Sequence, residues 1–175
     1  QIAKQNQILL AVDNTFATPY LQRPLEFGVD IVMHSATKYL GGHSDVVAGV
    51  VCSSHAIIKK MFIDEYMVLG GIISPHDASL IIRGLRTLPI RMERVQSSTQ
   101  VIVAALKGHK AIKRILYPFD VDFPQYELAK KQMTGCGGLF TIEFDFPDIE
   151  TLLKVVGKVK RWKIAVSWGG HEALM

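Results

Sequence analysis

VDNTFATPYLQRPLEFGVDIVMHSATKYLGGHSDVVAGVV, residues 12–51, is the stretch whose reading decides the fold. Two short apolar runs lie in and just before it, Ile8 to Val12 and Asp30 to His34, and they end in Asp13 and Ser35. Apolar runs of this length predict strands buried on both faces, as in a parallel sheet. Pro19, Pro24 and Gly28 bracket a short helix predicted over Leu21 to Phe27. The unit is strand, helix, strand, the signature of an α/β domain. Val46 to Ser53 is a third predicted strand, reached through the Gly41–Asp45 loop.

Downstream, Ala56 to Val68 is amphipathic, with Ile57, Ile58, Met61 and Phe62 on one side, and Gly70-Gly71 ends it. Ser74-Pro75-His76-Asp77 reads as a helix start, with Ser74 or Ser79 as cap and Pro75 in the first turn, the helix running to about Leu85. Pro89 to Leu106 is the longest uninterrupted helical pattern, closed by Gly108. The texture then changes. Ile112 to Tyr117 is strand-like and Gln125 to Met133 helical. In GGLFTIEFDF, residues 137–146, the series Leu139, Thr141, Glu143, Asp145 alternates with Phe140, Ile142, Phe144, Phe146, which marks a half-exposed, often antiparallel strand. Asp148 to Gly157 predicts a helix and Lys163 to Val166 a last strand. The expected division is the C-terminal part of an α/β domain over 1–88, a connecting helix over 89–108, and part of a smaller α+β domain over 109–175. The chain opens on QIAKQNQILLAVDN and closes on IAVSWGGHEALM, both inside regular elements rather than in linkers, so the expectation is a fragment of a larger protein.

Composition removes several function classes. Of 175 residues, 49% are hydrophobic and 21% charged, a globular mix that excludes a disordered chain. The longest apolar stretch, VVAGVVC at 46–52, falls far short of the roughly 18 residues a membrane helix needs, so no membrane partner is expected. Net charge is +4, yet the basic residues are scattered. The densest patch, KVVGKVKRWK at 154–163, interleaves with apolar residues and carries no reader motif, which argues against a nucleic-acid partner. Cys52 and Cys136 have no metal-ligand spacing and are expected to be buried thiols, with no metal bound. No charged segment followed by an apolar core precedes the first strand, and a reducing cytoplasmic setting is the default.

Ligands of open α/β sheets bind outside the carboxyl ends of the strands. Asp13 follows the first strand directly and Lys38 lies three residues past the second. A lysine held partly out of water there can serve as a Schiff-base amine. A strand-end carboxylate can pair with a protonated heteroaromatic nitrogen, as pyridoxal-phosphate chemistry requires. Ser35 and Thr37 supply hydroxyls for a phosphate. Singly, Asp13 also reads as a turn former and Lys38 as a solvated loop residue. Together, amine, hydroxyls and nitrogen partner are what that cofactor asks of a protein. The Gly41–Asp45 loop reads as a tight turn rather than a phosphate nest of its own.

Residues 12–51 resemble the cofactor-binding segment of the Cys/Met-metabolism (transsulfuration) family of pyridoxal-phosphate enzymes. The likeness continues through SPHDASLIIRGLRTLPIRMERV (74–95), GCGGLFTIEF (135–144) and VSWGGHEAL (166–174). It implies a large domain of the fold type I transferase kind, here the C-terminal part of its mostly parallel sheet, joined by the long helix to part of the smaller domain. It also implies roles: Lys38 as the catalytic residue in an internal aldimine with pyridoxal 5'-phosphate, Asp13 on the pyridine nitrogen, Ser35 and Thr37 on the phosphate, and Ser167 orienting the substrate. Trp168, where most members carry a Leu-like residue, is similar to bacterial cystathionine β-lyases, although it equally reads as filling an apolar gap. Val95 where the family often has His, and HEAL in place of ESL, are departures that leave the exact reaction open.

The activity implied is carbon–sulfur elimination on cystathionine or a related sulfur amino acid. γ-Replacement, as in cystathionine γ-synthase or O-acylhomoserine sulfhydrylase, is the alternative, and a catalytically inactive assembly domain the second. The resemblance implies a homodimer or homotetramer with shared active sites. The family's phosphate-binding Tyr, Arg and Gly-rich turn, and its substrate-carboxylate Arg, have no counterpart in these residues, so this stretch alone is expected to be inactive.

Overall fold

The computed structural model describes residues 2–175. After a short helix α1 (Ile2–Gln5), strand β1 (Ala11–Asp13) leads through α2 (Thr18–Leu21) and a 3-10 turn (Pro24–Phe27) to β2 (Ile31–Ser35). β1 and β2 pair in parallel, Val12 opposite Val32 and Asp13 opposite Met33. Their carboxyl ends therefore share one edge of the sheet. The single helix expected over Leu21 to Phe27 is two elements, because Pro24 lacks the N–H a continuing helix needs and holds Arg23 out of helical geometry. Gly28 closes the 3-10 turn at φ +81°, the left-handed region that favours glycine.

β3 (Gly49–Ser53) pairs antiparallel with β2, Met33 opposite Val51. A parallel return needs a crossover, usually a helix, whereas residues 36–48 fold back as a compact turn over the end of β2. The short apolar runs also overstated burial. Val32 and His34 are buried, but the facing pair Met33 and Val51 is exposed, so in this chain the sheet is covered on one face only. Cys52, expected inside, is exposed for a related reason: it lies on β3, an edge strand. Cys136 is partly buried, and burial pushes its thiol up to about 11.

The amphipathic stretch after β3 is α3 (His55–Met61), a π-helical turn (Phe62–Tyr66) and α4 (Met67–Leu69), ended by Gly70. α5 (Pro75–Arg86) begins at Ser74, whose Oγ accepts the Asp77 N–H at 3.0 Å. The long helix α6 (Leu88–Leu106) follows almost without a break. The main core joins α2, α5 and α6 to the turn after β2: Leu21, Ala36, Tyr39, Leu40, Ile81 and Met92 are all buried. Gly84 of α5 is required there, since a Cβ on it would overlap the carbonyl oxygens of Leu40 and Gly41.

Beyond α6, β4 (Ile112–Leu116) pairs antiparallel with β5 (Thr141–Phe144), with a register shift between Ile112 and Arg114. α7 (Tyr126–Gln132) lies between them in sequence, and α8 (Ile149–Val156) starts at Asp148, whose Oδ1 accepts the Thr151 N–H at 2.7 Å. The strand predicted over Lys163 to Val166 is reduced to one bridge, Lys163 with Leu174. No described helix is long and apolar enough to cross a membrane.

Candidate functional site

Asp13 stands at the end of β1, and both hydrogen bonds to its carboxylate come from Thr15. The Thr15 hydroxyl donates to Oδ1 at 2.5 Å and the Thr15 N–H to the same oxygen at 2.9 Å. These bonds, the hydroxyl's foremost, hold the Asp13 carboxyl below the usual carboxylate range, against the opposing effect of burial. Oδ1 is spoken for; Oδ2 takes neither bond. The Thr15 hydroxyl oxygen also accepts the backbone N–H of Ser35, at the end of β2, at 2.7 Å. Asp13 and Ser35 are thus tied together through one side chain. His34, beside them, is 6% exposed and burial pushes its pKa down, while the Asp13 charge acts in the other direction.

Lys38 follows in a tight turn. Its N–H donates to Ser35 C=O at 3.2 Å, the Gly41 N–H to Ala36 C=O at 2.8 Å, and the Gly42 N–H to Lys38 C=O at 2.8 Å. These bonds close the turn over residues 35–42; beyond it, a hydrogen bond of 2.8 Å joins His43 Nδ1 and Gly41 C=O. Lys38 Nζ donates to Ser167 Oγ at 2.9 Å and lies 4.5 Å from the centre of the Trp168 ring. Trp168 in turn stacks on Phe16 at 4.7 Å and 13° between planes. The turn carrying Ser167 is seated on the lysine's own backbone: Gly169, at φ +83°, approaches Lys38 and Tyr39 so closely that a Cβ would sit 2.6 Å from the Tyr39 nitrogen. Ser44 Oγ donates to Glu172 Oε2 at 2.8 Å, closing the same contact from the other side and holding the Glu172 carboxyl low.

Two groups of expected site residues emerge. Lys38, Ser167 and Trp168 touch one another; Asp13 and Ser35 are joined through Thr15; and the Lys38 N–H to Ser35 C=O bond links the two. Thr37 stands apart in its bonding, its hydroxyl accepting from the Ala48 N–H at 3.1 Å and facing Ala48 C=O at 3.4 Å. It nevertheless lines the same open cleft as Ser44, Asp45 and Ser167. Sequence reading missed Thr15 and Phe16, although a hydroxyl two residues after a strand-end Asp is a recognisable side-chain turn signal. It also missed Arg91, which had no signal. Its guanidinium donates to Tyr39 C=O at 2.7 Å and Gly84 C=O at 2.8 Å, clamping the lysine turn to α5.

The donor set suits an aldehyde-bearing pyridine phosphate. Lys38 makes no ion pair among the described residues, so its amine is not committed to a carboxylate. Asp13 is held ionised with one oxygen outside its internal bonds, which is what a protonated ring nitrogen requires. Hydroxyls of Ser35 and Thr37 flank the same sheet edge.

The chain is 44% identical over 170 residues to L-methionine gamma-lyase of Pseudomonas deceptionensis, which covers 97% of this chain and 42% of that protein. It is 43% identical over 174 residues to cystathionine gamma-lyase of Bacillus subtilis, 99% of this chain and 45% of the relative. Its fold superposes with a TM-score of 0.91 and 38% identity on cystathionine gamma synthase from Xanthomonas oryzae pv. oryzae in complex with aminoacrylate and cysteine, over 97% of this chain and 44% of that one. The chain thus spans less than half the length of these relatives. A family model described as Cys/Met metabolism PLP-dependent enzyme matches residues 1–175, and the chain belongs to this family.

Proposed function

We propose that the full-length protein containing this chain is a pyridoxal-phosphate-dependent carbon–sulfur lyase acting on cystathionine or a related sulfur amino acid. The observation that carries the proposal is the Lys38 amine, held by Ser167 Oγ at 2.9 Å and over the Trp168 face, in the turn after β2, whose parallel neighbour β1 ends in Asp13. Bound through Lys38, pyridoxal phosphate supplies a conjugated ring able to accept the electron pair left at a substrate Cα. Asp13 would keep a proton on the ring nitrogen, and the hydroxyls of Ser35 and Thr37 would hold the phosphate. With the cofactor bound, the Lys38 amine would be the general base for the substrate Cα proton. Ser167 holds that amine in position through its hydroxyl and orients the substrate. Trp168 bounds the space for the substrate side chain, its ring braced by Phe16.

The division into a cofactor domain to residue 88, a connecting helix and a partial smaller domain belongs to the same reading, as do a cytoplasmic location and a homodimer or homotetramer. γ-Replacement remains the second reading, favoured by the 0.91 superposition on a cystathionine gamma synthase. The deciding experiment takes the full-length protein with pyridoxal phosphate. A visible absorbance band abolished by Lys38→Ala is expected, together with pyruvate from cystathionine. Thioether formation from an acylated homoserine would assign the protein to γ-replacement instead. A wild-type protein with no band would overturn the proposal.

A further inference from the structure

The feature the proposed chemistry does not use is Thr15, 4% exposed, whose side chain spans the ends of two strands. The parallel ladder between β1 and β2 extends to the Asn14 N–H, which donates to Met33 C=O at 2.9 Å. The next donor on β2 is the Ser35 N–H, and a regular ladder would offer it a backbone carbonyl. Here it meets the Thr15 hydroxyl oxygen, at 2.7 Å. A hydroxyl has one proton, so an oxygen that accepts from Ser35 sends that proton elsewhere, and at 2.5 Å it goes to Asp13 Oδ1. The direction of both bonds is fixed. An N–H to O–H to carboxylate chain is mutually polarised, and each bond restrains the next.

A turn alone does not need this. The Thr15 N–H already closes the local turn on Asp13 Oδ1 at 2.9 Å. The hydroxyl adds a connection twenty residues away in sequence, from the acid to the strand end bearing Ser35. With both bonds on Oδ1, the carboxylate cannot rotate freely and Oδ2 is left for a ligand.

We propose that Thr15 is a positioning residue whose hydroxyl locks Asp13 to the Ser35 strand end, setting the nitrogen-binding carboxylate and the phosphate-binding edge at one fixed separation before cofactor arrives. The inference rests on the reading of Asp13 and Ser35 as cofactor contacts. It makes Thr15 act through its neighbours, with no contact of its own to the cofactor required.

The test uses the full-length protein, stripped of cofactor and titrated with pyridoxal phosphate while the visible absorbance is followed. Thr15→Val keeps the shape and removes the hydroxyl; loss of one charge-assisted hydrogen bond from a preset site is expected to weaken cofactor affinity about tenfold or more. Thr15→Ser keeps the hydroxyl and is expected to bind within about twofold of wild type. In an Asp13→Asn background the further loss from Thr15→Val should shrink to about threefold or less, because the two act as a unit. Circular dichroism and the thermal midpoint of the cofactor-free variants separate a positioning effect from a folding one. Wild-type affinity in Thr15→Val, a loss in folded Thr15→Ser as large as in Thr15→Val, or full additivity with Asp13→Asn would each overturn the inference. Should Thr15→Val fail to fold, the Thr15→Ser result decides it alone. A wild-type protein that takes up no cofactor overturns the underlying reading instead, and this inference with it.

Discussion

Gly84→Ala isolates the contact on which the lysine turn rests. Gly84 lies inside α5, where glycine costs about 1 kcal/mol relative to alanine, so on an open helix face the substitution would stabilise the protein by about that much. Here the new methyl would overlap Leu40 O and Gly41 O. Both are backbone atoms of the turn that follows Lys38, and neither has a rotamer through which to yield. Overpacking of a filled site costs about 1–3 kcal/mol, and a rigid backbone partner places this site in the upper part of that range. After the helix-propensity gain the expected net loss is about 1–2 kcal/mol. The damage reaches the site as well, because Arg91 bonds Tyr39 C=O and Gly84 C=O at once, and pushing α5 from the turn breaks one of them. The assay is urea unfolding of the full-length protein at unchanged m-value, paired with cofactor affinity from visible absorbance. Gly71→Ala is the control, since a Cβ there meets nothing within 4 Å, and no loss is expected. A Gly84→Ala protein as stable as wild type with full cofactor affinity would show that helix propensity outweighs the contact and would refute the reasoning.

Two further outcomes follow from the same packing. Arg91→Met removes the donors to Tyr39 C=O, Gly84 C=O and Thr87 Oγ1 and should cost about 2–3 kcal/mol in urea unfolding; Arg91→Lys, unable to span both carbonyls, should recover less than half, and full recovery would show that only the charge matters. At Asp120, burial alone would raise the carboxyl, but the Lys107 ammonium and the Asp122 N–H outweigh it and hold it below its ordinary 3.8. Its folded value lies under its unfolded one, so the pair contributes stability that is present above about pH 4 and lost as pH falls through the lower folded value. Asp120→Asn should therefore flatten the acid side of the stability–pH curve, and an equally steep acid loss in the variant would show that the pair does not supply it.

Local pattern made the elements legible where a residue's own chemistry decides them. Ser74 with Pro75, and Gly28 and Gly70 as stops, all act within a few residues, and the structure puts helix ends there; Asp148, read as the first residue of its helix, is the residue that caps it. Strand direction was not legible in the same way. The run Gly49–Ser53 suits either orientation, and only the turn over 36–48, too compact for a helical crossover, makes β3 antiparallel. Burial of both sheet faces failed because hydrophobicity of a strand does not say whether this chain carries the element that covers Met33 and Val51.

The site divides along the same line. Asp13, Ser35 and Lys38 are legible because strand ends are where sheets of this kind bind ligands and those side chains follow their strands within three residues. Ser167 and Trp168 arrive from 129 and 130 positions downstream of Lys38, and nothing in their local spacing says where they land; the family resemblance supplied them. Arg91 was invisible for a further reason. It acts on two carbonyls, and carbonyls carry no side-chain signature, so a residue that serves backbone can be recognised only once the backbone is placed. Thr15 lies between these cases. Its bond to Asp13 was readable from a two-residue spacing, while its bond to the Ser35 N–H depends on β1 and β2 being parallel and in register. The part of the site hidden from sequence is therefore the part that rigidifies it, in which hydroxyl and guanidinium groups take the place of backbone partners where a strand ends and a turn begins.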